Sequence, residues 1–210
     1  MPTLESLGAF LAASLLMELT PGPNMGYLAI LSMQSGRQAG VRAVAGVTAG
    51  LCAILVASAF GVAEIAARQP IVLHALRWAG CAYMLWLAWD CWRDADAKAE
   101  EAIDPQAPFV RGFIANVLNP KAALLYVALT PSFIRPDGAP YWAQTLILGS
   151  LHIAVSIVVH LATVLAAARV GAVVLGPQAS ARERFTRRGF ALALAAIAVW
   201  LFFAARPPAT

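Results

Sequence analysis

Residues 43 to 63 read Ala43-Val-Ala-Gly-Val-Thr-Ala-Gly-Leu-Cys-Ala-Ile-Leu-Val-Ala-Ser-Ala-Phe-Gly-Val-Ala63, with no Asp, Glu, Lys, Arg or His among them. A helix that crosses the hydrocarbon of a bilayer needs roughly 20 mostly apolar residues, and this stretch supplies them. Two further runs are of the same kind. Gly138–Ala168 carries only His152 and His160, and Gly189–Ala205 is uncharged. Of the 210 residues, 60% are hydrophobic and 12% charged, against roughly 25% charged in a soluble domain. The sequence therefore predicts an all-α integral membrane protein whose outer surface is solvated by lipid.

Working outward from that run, six transmembrane helices are expected, at about Leu4–Ser32, Val41–Ala66, Ile71–Cys91, Val110–Ile134, Trp142–Ala168 and Arg188–Ala205. Arg77 falls near one end of the third, where its long stem can snorkel to the headgroups. The linker Trp92–Phe109 holds Asp94, Asp96, Lys98, Glu100 and Glu101 and is the one clearly hydrophilic stretch. It divides a single transmembrane domain, residues 1–210, into a first repeat of about 4–92 and a second of about 110–206.

Orientation follows from Lys and Arg in the short loops, which favour the cytoplasmic side. The loops after the first, third and fifth spans hold ten, namely Arg37, Arg42, Arg93, Lys98, Arg111, Arg169, Arg182, Arg184, Arg187 and Arg188. The other side holds four, Arg68, Arg77, Arg135 and Arg206. A multi-pass protein of the cell membrane, with both termini outside and the linker in the cytoplasm, is the expected arrangement. The net charge of +4 reads as this orientation, with lipid and not nucleic acid as the partner. The basic stretch Ser180–Gly189 is either a solvated loop or a short surface helix on anionic headgroups. The first apolar segment lacks a basic lead-in and a small-residue cleavage site, and is expected to stay in the mature chain. Cys52, Cys81 and Cys91 have neither metal nor redox spacing and read as small apolar packers.

Two spans are interrupted. The first contains Glu18-Leu-Thr-Pro-Gly-Pro-Asn24 and the fourth Asn116-Val-Leu-Asn-Pro-Lys121. Proline removes a backbone donor and clashes with the preceding turn, so both helices are expected to unwind there. Lipid cannot satisfy the freed carbonyls, and irregular backbone survives at membrane depth only inside protein or beside a polar cavity. Pro21 and Pro120 stand 99 residues apart, and the same shift carries Ala43–Ala63 onto Trp142–Ala162. Three spans per half is an odd number, so the second half enters from the opposite side. That predicts an inverted 3+3 repeat with broken first and fourth helices, and matching breaks in two halves point to a transporter's binding site at the midplane.

Each broken helix also carries the clear mid-span charge of its half, Glu18 and Lys121. Such charges face a cavity or a partner. One expectation is a shared polar site in which Glu18 and Lys121 join Asn24, Asn116 and Asn119, whose amides can bind both a carboxylate and an ammonium. The other is a mutual buried salt bridge that only ties the halves together. In the fifth span Gly149, His152, Ser156, His160 and Thr163 share one face. His152, Ser156 and His160 are candidates for lining the pathway, and the alternative is histidines satisfied within the bundle. Gly46 and Gly50 form a G-x-x-x-G that lets helices approach closely. Trp78, Trp86, Trp89, Trp92 and Trp142 read mostly as interfacial anchors.

These residues resemble the LysE-type amino-acid exporter family, in particular its homoserine/threonine-efflux branch. The likeness rests on Thr20-Pro-Gly-Pro-Asn24, Gln34-Ser-Gly-Arg37, Gly46-Val-Thr-Ala-Gly50, Trp78-Ala-Gly-Cys-Ala-Tyr-Met-Leu-Trp86, Arg111-Gly-Phe and Asn119-Pro-Lys-Ala-Ala-Leu124. It implies a secondary exporter of amino acids or related small metabolites, driven by proton exchange, with Thr20, Pro21, Gly22, Pro23, Asn24, Asn119, Pro120 and Lys121 in its site. Members of that family often carry Asp where this chain has Asn24, which leaves Glu18 to supply the coupling carboxylate. The likeness implies neither catalysis nor a cofactor, and a homodimer is compatible with it. Two other readings start from the residues. A metal-ion exporter of similar architecture would need imidazole or soft ligands, of which only His152 and His160 qualify. An intramembrane enzyme of the serine-protease kind would need a Gly-x-Ser-Gly setting, which the chain lacks.

Overall fold

A computed structural model of the chain describes residues 4–61, 69–94, 106–174, 188–189 and 191–199, and among them every regular element is helical. In chain order these are α1 (Leu4–Leu19), α2 (Pro23–Ala59), α3 (Pro70–Asp94), α4 (Ala107–Val117), α5 (Pro120–Leu124) and α6 (Tyr141–Val174). Between α5 and α6 the chain passes through a π-helical turn (Leu125–Leu129) and a 3-10 turn (Thr130–Phe133). A last helical stretch, α7, covers 191–199.

Local chemistry explains the starts and stops. α1 ends at Leu19, and the chain resumes helix at Pro23 with Gly22 extended before it. α4 ends at Val117, and Asn119 caps α5 by accepting the backbone N–H of Lys121 at 3.0 Å. Proline suits the first position of a helix, where its missing N–H would have no partner in any case. Pro23 opens the helix after the first break as Pro120 does after the second. α6 opens beneath a buried Gln144, whose amide nitrogen donates to the carbonyls of Arg135 and Ala139 while its oxygen accepts from the Arg135 N–H.

α2 is two helical limbs, 23–35 and 37–59, meeting at Gly36 with φ +77°. Only glycine enters that region without strain. The chain reverses there, because Ser32 Oγ occupies the space where Gly40 would carry a Cβ. Farther down the hairpin, Asn24 on the first limb and Gly50 on the second both meet Asn116. α6 packs along this hairpin, Leu55 filling the notch at Gly149 and Met33 the one at Gly171. At Gly46 and Gly112 the second limb and α4 touch backbone to backbone. The G-x-x-x-G therefore serves packing against α4.

The burial pattern departs from that of a water-soluble protein. Leu16, Phe60, Ile71, Val158 and Val173 are exposed, while Glu18, Asn24, Asp90, Asn116, Gln144, His152 and His160 are buried beside the apolar core. Large apolar side chains outside and charged ones inside fit lipid as the surrounding solvent. Trp78, Trp86, Trp89 and Trp142 belong to that exposed exterior. Two described helices, Pro23–Ala59 and Tyr141–Val174, are long and apolar enough to cross a membrane. Several expectations fall on residues outside the described set: the end of the second span, most of the hydrophilic linker, most of Ser180–Gly189, and Arg68 and Arg206. The side chain of Arg77 belongs with them.

Candidate substrate cleft

The two helix breaks face each other. Lys121, second residue of α5, reaches across to the first break, where its Nζ donates to the Thr20 carbonyl at 2.8 Å. Its stem lies against Gly22, where a Cβ would stand 3.6 Å from Lys121 Cδ. A carbonyl freed by the interruption at Pro21–Pro23 is thus satisfied by a charge from the other half of the chain. The Thr20 hydroxyl turns back to the Leu16 carbonyl at 2.8 Å. Pro21 is exposed within the break, while Pro23 is buried at the start of the helix.

Behind this junction lies a narrow cleft lined by Glu18, Gly22, Asn24, Asn116, Asn119, Lys121, His152, Ser156 and His160 on its polar side. Met17, Met25, Leu51, Ala122 and Leu125 form its apolar side. Four structural origins converge here: the end of α1, the start of α2, the α4–α5 break and the middle of α6. Asn24 and Asn116 are joined by a hydrogen bond of 2.6 Å from Asn24 Nδ2 to Asn116 Oδ1. That leaves Asn24 Oδ1 and Asn116 Nδ2 buried with no hydrogen-bond partner among the described residues. An acceptor and a donor are left open side by side, and buried groups of this kind are costly to leave unmade.

Glu18 is only 8% exposed, and its carboxylate sits between two histidines of α6. Oε1 lies 3.4 Å from His152 Nε2 and Oε2 lies 3.3 Å from His160 Nε2. His160 Nδ1 is 3.1 Å from the Ser156 hydroxyl. His152 Nδ1 is buried and has no hydrogen-bond partner among the described residues, and the ring meets Tyr126 edge to face at 5.7 Å. Glu18 and Lys121 line the same cleft and feel each other's charge, each with its own nearest contacts. The spacing of His152, Ser156 and His160 marked one helix face. Their meeting with Glu18, more than 130 positions away in the chain, left no trace in the sequence. Among the described residues no group of three or more His, Cys, Asp or Glu is placed to hold a metal ion.

A second polar cluster was not anticipated. Asp90 on α3 is buried and pairs with Arg111 of α4 and, at 3.3 Å, with Arg93. Arg111 also lies over the Trp86 ring, 5.4 Å from its centroid, and its carbonyl accepts from the Tyr83 hydroxyl at 3.3 Å. This cluster ties α3 to the helix that leads into the second break.

A helical chain with an apolar exterior, two facing helix breaks and a charged cleft between them belongs to the class of polytopic membrane proteins built around an internal polar site. Residues 15–205 match the LysE type translocator family, and the chain belongs to it. It is 33% identical over 180 residues to the homoserine/homoserine lactone efflux protein of Salmonella typhimurium, covering 84% of this chain and 87% of that one. A cysteine/O-acetylserine efflux protein of Salmonella typhimurium is 30% identical over 131 residues, 62% of this chain and 67% of its own. An uncharacterized membrane protein of Vibrio cholerae is 26% identical over 182 residues, covering 83% of this chain and 86% of its own. No solved structure matches the chain.

Proposed function

We propose that this protein exports small amino acids across the cell membrane by proton exchange, binding them in the cleft between its two broken helices. One observation carries the reading. Glu18, Lys121 and the open amide atoms of Asn24 and Asn116 converge on one cavity. A zwitterionic amino acid needs one anionic and one cationic partner, and the cleft supplies both. Its carboxylate fits Lys121 and the free N–H groups that open the first limb of α2, where a helix N-terminus favours negative charge. Its ammonium fits Glu18. The side chain then faces Met17, Met25, Leu51, Ala122 and Leu125, a wall suited to a short, uncharged side chain such as those of homoserine, cysteine or O-acetylserine. The relatives' names support the same cargo class.

The membrane arrangement belongs to the proposal. Six spans form two inverted triplets with both termini outside, and the cleft lies near the midplane. Matching Pro-started half-helices at Pro23 and Pro120 support the inverted pairing. The test is reconstitution in proteoliposomes loaded with radiolabelled homoserine, cysteine or O-acetylserine. Release is followed after a pH gradient is imposed, acid outside. Faster release with the gradient than without supports the reading; release of none of the three from correctly folded protein refutes it.

A further inference from the structure

Resting on the export reading above, we propose that Glu18, His152 and His160 form the coupling device, in which His152 Nδ1 carries one exchangeable proton that leaves when a substrate ammonium takes over the Glu18 carboxylate.

The geometry distinguishes the two histidines. Each presents Nε2 to a different oxygen of Glu18, at 3.4 and 3.3 Å. A neutral imidazole has a single N–H, and a hydrogen bond to an ionised carboxylate fixes it on Nε2. Nδ1 is then an acceptor on each ring. On His160 that acceptor is met by the Ser156 hydroxyl at 3.1 Å. On His152 it is buried with no hydrogen-bond partner among the described residues. A further proton enters at His152 Nδ1 without breaking a bond, whereas at His160 it would force the serine hydroxyl to turn round. His160, held by Ser156, is a positioning residue that orients Glu18, and His152 is the site that titrates.

The charged and titratable groups around the cluster are few. α1 supplies Glu18, α6 both histidines, α5 Lys121, and the π-helical turn Tyr126, with Cys52 of α2 near Tyr126. Lys121 is engaged with the Thr20 carbonyl. Its charge stands beside the cluster throughout, so the buried carboxylate has two exchangeable cations to choose between, the His152 imidazolium and the substrate ammonium, which repel each other in a medium of low dielectric. Only one is held at a time. In the substrate-free state His152 bears N–H on both nitrogens and pairs with ionised Glu18. An amino acid entering from the cytoplasm places its ammonium on Glu18, and the Nδ1 proton passes to cytoplasmic water. After the amino acid leaves on the far side, a proton from that side returns to Nδ1. One proton moves in for each amino acid moved out, and the only bond broken and remade is N–H.

The test uses the purified full chain in detergent, L-homoserine as the probe and a pH-indicator dye in weak buffer between about pH 5 and 8. The wild type is expected to release about one proton per homoserine bound at the acid end and progressively less as pH rises, as the group empties. H152Q is expected to bind homoserine with release cut at least about tenfold. H160Q is expected to bind more weakly and still release. Should H152Q fail to fold, nitrogen-15 NMR of ring-labelled H160Q reads the same event, since only His74 and His152 remain. The His152 Nδ1–H signal should vanish on adding homoserine. Full release by H152Q, loss of release in H160Q alone, or an unchanged Nδ1 signal overturns the proposal. A wild type that binds no amino acid at all defeats the export reading first, and this proposal with it.

Discussion

Replacing Gly46 by alanine adds one methyl at the tightest point between the two halves. The new Cβ would stand 2.8 Å from the Phe109 carbonyl carbon and 2.9 Å from the Phe113 amide nitrogen, with the Phe109 oxygen nearer still. Ordinary contact begins at 3.4 Å, so the carbonyl carbon alone demands that the second limb of α2 and α4 part by about 0.6 Å, and the nearer Phe109 oxygen demands more. The obstructing atoms are backbone and cannot swing aside as a side chain would. Overpacking of this kind costs about 1–3 kcal/mol. For a chain of this size each kcal/mol lowers Tm by about 2–4 °C, so G46A is expected to lose about 2–12 °C. The displacement also reaches the cleft, because Asn116, one turn beyond Phe113 on α4, holds Asn24. The assay is thermal unfolding of purified protein in one detergent, paired with homoserine binding. G8A is the control, since nothing lies within 4 Å of a Cβ at Gly8. An unchanged Tm for G46A, with G8A also unchanged, would refute the backbone contact and with it the close packing of α2 on α4.

Three further outcomes are expected. K121M removes the cation that bridges the two breaks; a charged hydrogen bond is worth about 1.5–3 kcal/mol, so homoserine efflux should fall at least about tenfold while gel-filtration behaviour is preserved. N116L leaves the Asn24 amide buried beside a hydrocarbon side chain, and an unmade bond of this kind costs about 1–3 kcal/mol; calorimetric titration with homoserine should show the weakening. G36A forces an L-residue into φ +77°, ψ −178°, a region almost confined to glycine, at about 1–3 kcal/mol. It should lower Tm without a matching loss of homoserine affinity, because Gly36 lies outside the cleft.

Much of the site was legible in the sequence because proline acts locally. Thr20-Pro-Gly-Pro and Asn119-Pro announce interruptions wherever they occur in an apolar helix. Glu18 and Lys121 stand out because charge in such a run needs a polar neighbour. The Gln34-Ser-Gly-Arg37 segment, quoted for its family likeness, holds the Gly36 at which α2 folds back. What a linear reading cannot supply is long-range pairing. Glu18 and Lys121 were expected either to share a polar site or to pair with each other; both line one cleft, but the partners each takes there, His152 and His160 for the carboxylate and the Thr20 carbonyl for the ammonium, come from the packing of α6 and α5. Asp90 went unremarked in the sequence and Arg111 counted as a loop cation; the docking of α3 on α4 is what makes them a pair. The π-helical turn at Leu125–Leu129 has no local signal, since Leu-Tyr-Val-Ala-Leu would propagate an ordinary helix. Either Pro21 or Pro23 can end a helix, and only the backbone decides which begins the next.

That π-helical turn bears on how the cleft could open. Where α4 meets the second limb of α2, peptide planes abut at Gly46 and Gly112 with no side chain between them, so sliding one rod along the other would drive backbone into backbone. Residues 118–133 are wound differently: a break, five residues of α-helix, a π-helical turn and a 3-10 turn in close succession. Exchanging one winding for another there shifts Lys121 and Leu125 by a fraction of a turn while the abutting pair stays still. A carrier assembled this way would open by re-coiling a short ribbon rather than by swinging a domain.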